Sequence, residues 1–109
     1  MNNTNNRLIW FKGDIIPYEE AKINIMNTSA QYGINVFEGI RCYNNEEENS
    51  LYAFRLSDHI NRLFQSSKLI KFQIDNKISK EYIIYNLRNV IKANKYNEDL
   101  YVKICMFLD

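Results

Sequence analysis

The sequence predicts an α+β domain: an antiparallel sheet of about five strands with two helices packed on one face. Three observations carry that expectation. Short apolar runs rich in β-branched and aromatic residues are separated by turn signals, such as Lys12-Gly13-Asp14. Two longer stretches place their apolar residues at helical spacing, each opening near a serine. A final run, Leu100 to Leu108, has the composition of a buried strand.

The elements follow in order. Residues 1–6, rich in asparagine, read as a disordered N-terminus ahead of one domain over 7–109. Leu8-Ile9-Trp10-Phe11 and Ile15-Ile16-Pro17 read as a hairpin, with Pro17 at an edge where its missing N–H does no harm. Glu19 to Ala30 reads as loop, with an extended piece around Ile23 to Ile25. Val36 to Tyr43 is a strand interrupted by Gly39, and a glycine there marks a bulge or a close approach by another group. Leu51 to Phe54 returns beside it after a polar, acidic turn. Ser57 is the expected N-cap of a helix from about Asp58 to Ile70, with Ile60, Leu63, Phe64, Leu69 and Ile70 on its apolar face. Ser79 is expected to cap a second helix, ending near Asn94.

Composition narrows the function classes. The 109 residues make one domain or one part of a larger protein, and 46% hydrophobic residues suffice for a real core. A net charge of +1, from 14 basic and 13 acidic residues that are interleaved, gives no electrostatic reason to expect nucleic acid or an anionic membrane as partner. Cys42, Cys105 and the lone His59 have no metal-ligand spacing, and reduced, buried thiols are expected in preference to a disulfide. No apolar run reaches the roughly 20 residues of a membrane span, and the polar start lacks the apolar core of a signal peptide. A soluble, cytoplasmic protein is the consistent expectation.

Arg62 lies one turn inside the first expected helix, out of phase with Ile60, Leu63 and Phe64. Its planar fork of five N–H donors suits a two-point grip on phosphate, and a solvated surface arginine is the plain alternative. His59 stands one turn before it and reads as supporting structure. Tyr32 and Phe37 beside the Gly39 strand fit a pocket for a branched aliphatic side chain, although composition alone favours ordinary core aromatics.

Two blocks decide between these readings: Tyr32-Gly33-Ile34-Asn35-Val36-Phe37-Glu38-Gly39-Ile40-Arg41 and His59-Ile60-Asn61-Arg62-Leu63. In that order and spacing they resemble the N-terminal small domain of branched-chain aminotransferases, class IV enzymes that use pyridoxal 5′-phosphate. The resemblance covers about Arg7 to Asp109. It implies that Arg62 binds the cofactor phosphate, that Phe37 and Gly39 line the substrate pocket, and that Tyr32 reaches the pocket of a partner subunit in a homodimer. It further implies that Tyr101 and the residue at 103 face the substrate carboxylate. The family carries Tyr-x-Arg-Pro there, whereas this chain has Tyr101, Lys103 and Ile104. Lysine keeps the charge but loses the two-point fork, which bears on the choice of amino donor. The lysine that holds the cofactor belongs to a second, larger domain, and this chain ends before it. The resemblance therefore implies one part of an enzyme moving amino groups between branched-chain amino acids and 2-oxoglutarate, inactive without that domain. The alternatives are a class IV aminotransferase of altered substrate preference, or a non-catalytic remnant or interaction module.

Overall fold

The computed structural model describes residues 6–108. The expectation for residues 1–5 lies outside these. Among the described residues five antiparallel strands are divided between two sheets: β1 (Leu8–Phe11) with β2 (Asp14–Pro17), and β3 (Asn35–Asn45) flanked by β4 (Ser50–Ala53) and β5 (Leu100–Phe107). The α+β class holds, while the single sheet becomes two.

The hairpin closes through Lys12 and Gly13, both at positive φ (53° and 100°), and Phe11 pairs with Asp14. Two successive left-handed residues make the turn whose twist matches antiparallel strands, and glycine accepts the second position without strain.

Residues 19–30 depart from the expected loop. A single 3-10 turn covers Tyr18–Glu20 and a short helix, α1 (Thr28–Tyr32), closes the stretch; between them the chain is loop and turn, with no strand at Ile23 to Ile25. Asn27 caps α1 by accepting from the Ala30 N–H at 2.7 Å, and Gly33 ends it at φ 65°. The asparagine cap and following glycine were the local signals for this helix. Ser29 donates to the Ile34 carbonyl and accepts from the Leu108 N–H, both at 2.6 Å, and so ties α1 to the end of β5.

The two longer helices are α2 (Leu56–Leu69) and α3 (Lys80–Asn94). Ser79 caps α3 as expected, accepting from the Tyr82 N–H at 3.1 Å. Ser57 does not cap α2. The chain leaves β4 through Arg55 in the left-handed region (φ 53°), so the helix begins before Ser57 and the serine hydroxyl accepts from Lys80 Nζ instead. The far end of the expected apolar face also differs. Ile60 and Leu63 are fully buried, but Ser67 continues the inward stripe, and Leu69 and Ile70 are exposed.

The core lies between the three-stranded sheet and the helices. Ile40, Cys42 and Leu87 form its centre, joined by Ala53, Leu56, Ile91, Val102 and Ile104. Asn94 at the end of α3 accepts from the Leu8 N–H (2.8 Å) and donates to its carbonyl (2.9 Å), fastening the hairpin to the helix. Trp10 meets Tyr82 edge-to-face at 6.1 Å on the same seam. β5 is an edge strand rather than a buried one, and its burial alternates along its length. Both cysteines are free thiols, but only Cys42 is buried; Cys105 is exposed because odd positions of β5 face away from the helices.

Candidate functional site

A strand reverses its side chains at every residue, so the alternation in β3 sorts the chain's motifs onto two faces. Val36, Glu38, Ile40 and Cys42 turn toward the helices and are buried, whereas Asn35, Phe37, Arg41 and Tyr43 are exposed on the opposite face. The β3–β5 register places Phe37 beside Cys105, Gly39 beside Lys103 and Arg41 beside Tyr101. Four sequence-predicted residues, Phe37, Gly39, Tyr101 and Lys103, therefore meet on the face turned away from the buried core.

Their contacts are specific. The Tyr101 ring lies across Gly39, so that a Cβ built on the glycine would fall 1.7 Å from the Tyr101 hydroxyl oxygen and 2.4 Å from its ring carbon. Gly39 is thus the close approach that its position in a strand announced. Lys103 Nζ stands 4.5 Å from the centre of the Phe37 ring, a cation–π contact. Phe37 nevertheless keeps 53% of its surface exposed and Tyr101 keeps 67%. A face that carries two exposed aromatic rings and a cation is suited to a ligand that joins an apolar group to an anion.

Arg62 is brought to the same strand from the other side. Its Nε donates to Glu38 Oε2 at 2.8 Å and its NH2 to Glu38 Oε1 at 2.7 Å, a two-point contact. His59 Nδ1 lies 2.8 Å from Oε1, and since a carboxylate only accepts, the imidazole donates there. The Arg62 guanidinium holds the Glu38 carboxyl below the usual carboxylate range, against the opposing effect of burial and with help from His59. The same contact pushes Arg62 further up. Arg62 remains 65% exposed while Glu38 is only 6% exposed, and NH1 takes no part in the contact. β4 pairs only with Cys42–Asn45, so among the described residues β3 has β5 on one side of Glu38 and Gly39 and no strand on the other.

Glu38 was not singled out from the sequence. The available signal was a carboxylate in phase with Val36, Ile40 and Cys42, an acid on an apolar stripe that needs partners when buried. Tyr32 is not on the β3–β5 face: it closes α1 and is 77% exposed. Among the described residues no group of three His, Cys, Asp or Glu is placed to hold a metal ion, and no helix is long and apolar enough to cross a membrane.

No family model matches the chain. Curated relatives and solved structures do. A probable branched-chain-amino-acid aminotransferase of Aquifex aeolicus is 37% identical over 101 residues, which is 92% of this chain and 32% of that relative. The branched-chain aminotransferase of Thermoproteus uzoniensis with norvaline superposes with a TM-score of 0.81 at 38% identity, over 91% of this chain and 32% of that one. The chain is homologous to the branched-chain aminotransferases over about a third of their length. A further branched-chain aminotransferase, complexed with N-(5′-phosphopyridoxyl)-L-glutamate, matches with a TM-score of 0.81 at 31% identity, covering 91% of this chain and 32% of that one. The similarity runs through both sequence motifs, which lie on α1, β3 and α2, with β5 beside β3.

Proposed function

We propose that this chain is the small domain, over residues 7–109, of a pyridoxal-phosphate-dependent branched-chain aminotransferase. The whole protein moves amino groups between branched-chain amino acids and 2-oxoglutarate in the cytoplasm, as a homodimer completed by a large domain. The observation that carries the reading is the open face on which Phe37, Gly39, Tyr101 and Lys103 meet, with Arg62 held at the same strand.

The residues present fit the cofactor's anionic end. Arg62 is oriented by Glu38 and offers NH1 outward, and both Glu38 oxygens already accept from cations or N–H donors, which blunts the repulsion a phosphate would meet. The bare strand edge beside Gly39 lets a ligand on the open face extend toward that arginine. When bound, pyridoxal phosphate supplies the electron sink for exchanging an amino group between two carbon skeletons. Phe37 offers an apolar wall to a branched side chain, and Gly39 lets Tyr101 lie flat so that its hydroxyl reaches across the strand. Lys103 offers one positive charge to a substrate carboxylate. Tyr32, exposed on α1, is free to reach a partner subunit's pocket. The relative crystallised with a phosphopyridoxyl group joined to glutamate supports the pairing of phosphate and dicarboxylate recognition.

One feature favours a second reading, an altered amino donor. Lysine at 103 cannot grip a carboxylate at two points, and its ammonium already rests on Phe37. A chimera tests both readings: this chain replaces the matched third of the Thermoproteus uzoniensis enzyme, and transamination is assayed with leucine, isoleucine, valine and glutamate. Cofactor binding with branched-chain activity is the expected result. A folded chimera that binds no cofactor contradicts the proposal, and activity with another donor establishes the second reading.

A further inference from the structure

We propose that Glu38 is a positioning residue for the phosphate-binding arginine: it fixes the Arg62 guanidinium so that its remaining edge faces the cofactor phosphate, and His59 steadies Glu38. The inference rests on the phosphate-binding reading of Arg62 and adds the pair that aims it. A long arginine side chain on an exposed helix face samples many rotamers, and fixing them on binding costs affinity. Here the carboxylate removes that freedom beforehand. It takes Nε and NH2 together at 2.8 and 2.7 Å, which fixes the plane of the guanidinium as well as its location. The remaining NH1 edge is directed away from Glu38.

The burial is lopsided in the way such a role requires. Glu38 is 6% exposed on a rigid central strand, while the arginine it holds is 65% exposed. A surface ion pair made only for stability has two mobile partners; this one has an anchored acceptor and an open donor. His59, 20% exposed, donates to Oε1 from the helical turn before Arg62, so the carboxylate is held from two points on α2. In that arrangement Glu38 touches no ligand and acts through Arg62 alone.

The test separates phosphate recognition from recognition of the ring. The probes are pyridoxine 5′-phosphate and pyridoxine, which lack the aldehyde and so do not react with surface lysines. Their affinities are measured for the wild-type chain and for Glu38→Gln, Arg62→Ala and the double variant. The wild type is expected to prefer the phosphate ester, and Glu38→Gln to lose about tenfold of that preference while its affinity for pyridoxine stays the same. Arg62→Ala is expected to abolish the preference, and adding Glu38→Gln to it is expected to change nothing further. A preference that survives Glu38→Gln overturns the positioning role. No preference in the wild type, or one that survives Arg62→Ala, overturns the reading of Arg62 itself. Should Glu38→Gln not melt cooperatively, Glu38→Asp carries the same test: it keeps the charge but is one methylene short of the two-point contact, and an undiminished preference there overturns the role equally.

Discussion

The two faces of the three-stranded sheet are made by the same strands and differ in almost everything else. Toward the helices, Ile40, Cys42, Ile60 and Leu63 are buried to 1% exposure or less. Away from them, Phe37 and Tyr101 each keep more than half their surface open, next to Lys103 and Arg41. The inner face is closed by packing, and its one carboxylate is satisfied by two partners on α2. The outer face holds large aromatic groups that packing would ordinarily hide. Phe37 and Tyr101 are thus not spent on the core as Ile40, Ile60 and Leu63 are, and their exposed apolar surface is available to a ligand or a neighbouring surface.

Substitutions sharpen or break that contrast. Ile40→Ala is expected to destabilise by about 2–5 kcal/mol in urea unfolding, because a fully buried side chain leaves a cavity among β3, α2 and α3. Phe37→Ala on the same strand is expected to cost about 1 kcal/mol or less, since it is half exposed already. Equal losses would erase the distinction between the faces.

The next effect is a pH slope. The Glu38 carboxyl titrates lower folded than unfolded, because Arg62 favours its charged form. Its contribution to stability is therefore complete above the ordinary carboxylate range and is lost as pH falls through the folded value. Unfolding curves between about pH 6 and pH 2 should show this decline in wild type and a shallower one in Glu38→Gln, with parallel curves counting against the ion pair.

Gly39→Ala comes third. The new methyl would collide with the tip of the Tyr101 ring, which is exposed and able to swing aside. A loss within about 1 kcal/mol is expected, together with displaced Tyr101 ring resonances. A large loss would mean that the ring is fixed by more than the glycine's room. Smallest is Lys103→Ala, expected to stay within about 0.5 kcal/mol by thermal denaturation, as for a surface position.

Much of this was legible in the sequence where local chemistry decides. The hairpin, the β3–β4 return, the Ser79 cap and the helical phase of Ile60 and Leu63 follow from turn residues and periodicity, which act within a few residues. Ser57 misled because the left-handed step at Arg55 is set by how β4 turns into α2, a tertiary requirement that a cap propensity does not contain. The division into two sheets depends on where α3 carries the hairpin, through Asn94 and Trp10, which no single segment encodes. At the site, Phe37, Gly39, Tyr101 and Lys103 share a face as a result of period-two alternation and β3–β5 register. Glu38 escaped notice because its partners lie on another element, more than twenty residues along the chain.

In the proposed function the open face and Arg62 together form the ligand side of this domain. Chemical-shift mapping on the isotopically labelled chain with N-(5′-phosphopyridoxyl)-L-glutamate tests it most directly. Shifts are expected to concentrate at Phe37, Gly39, Tyr101, Lys103 and Arg62, with Leu87, Ile91 and the hairpin unmoved. Shifts gathered instead on α3 and the hairpin, or none at Arg62, would contradict it.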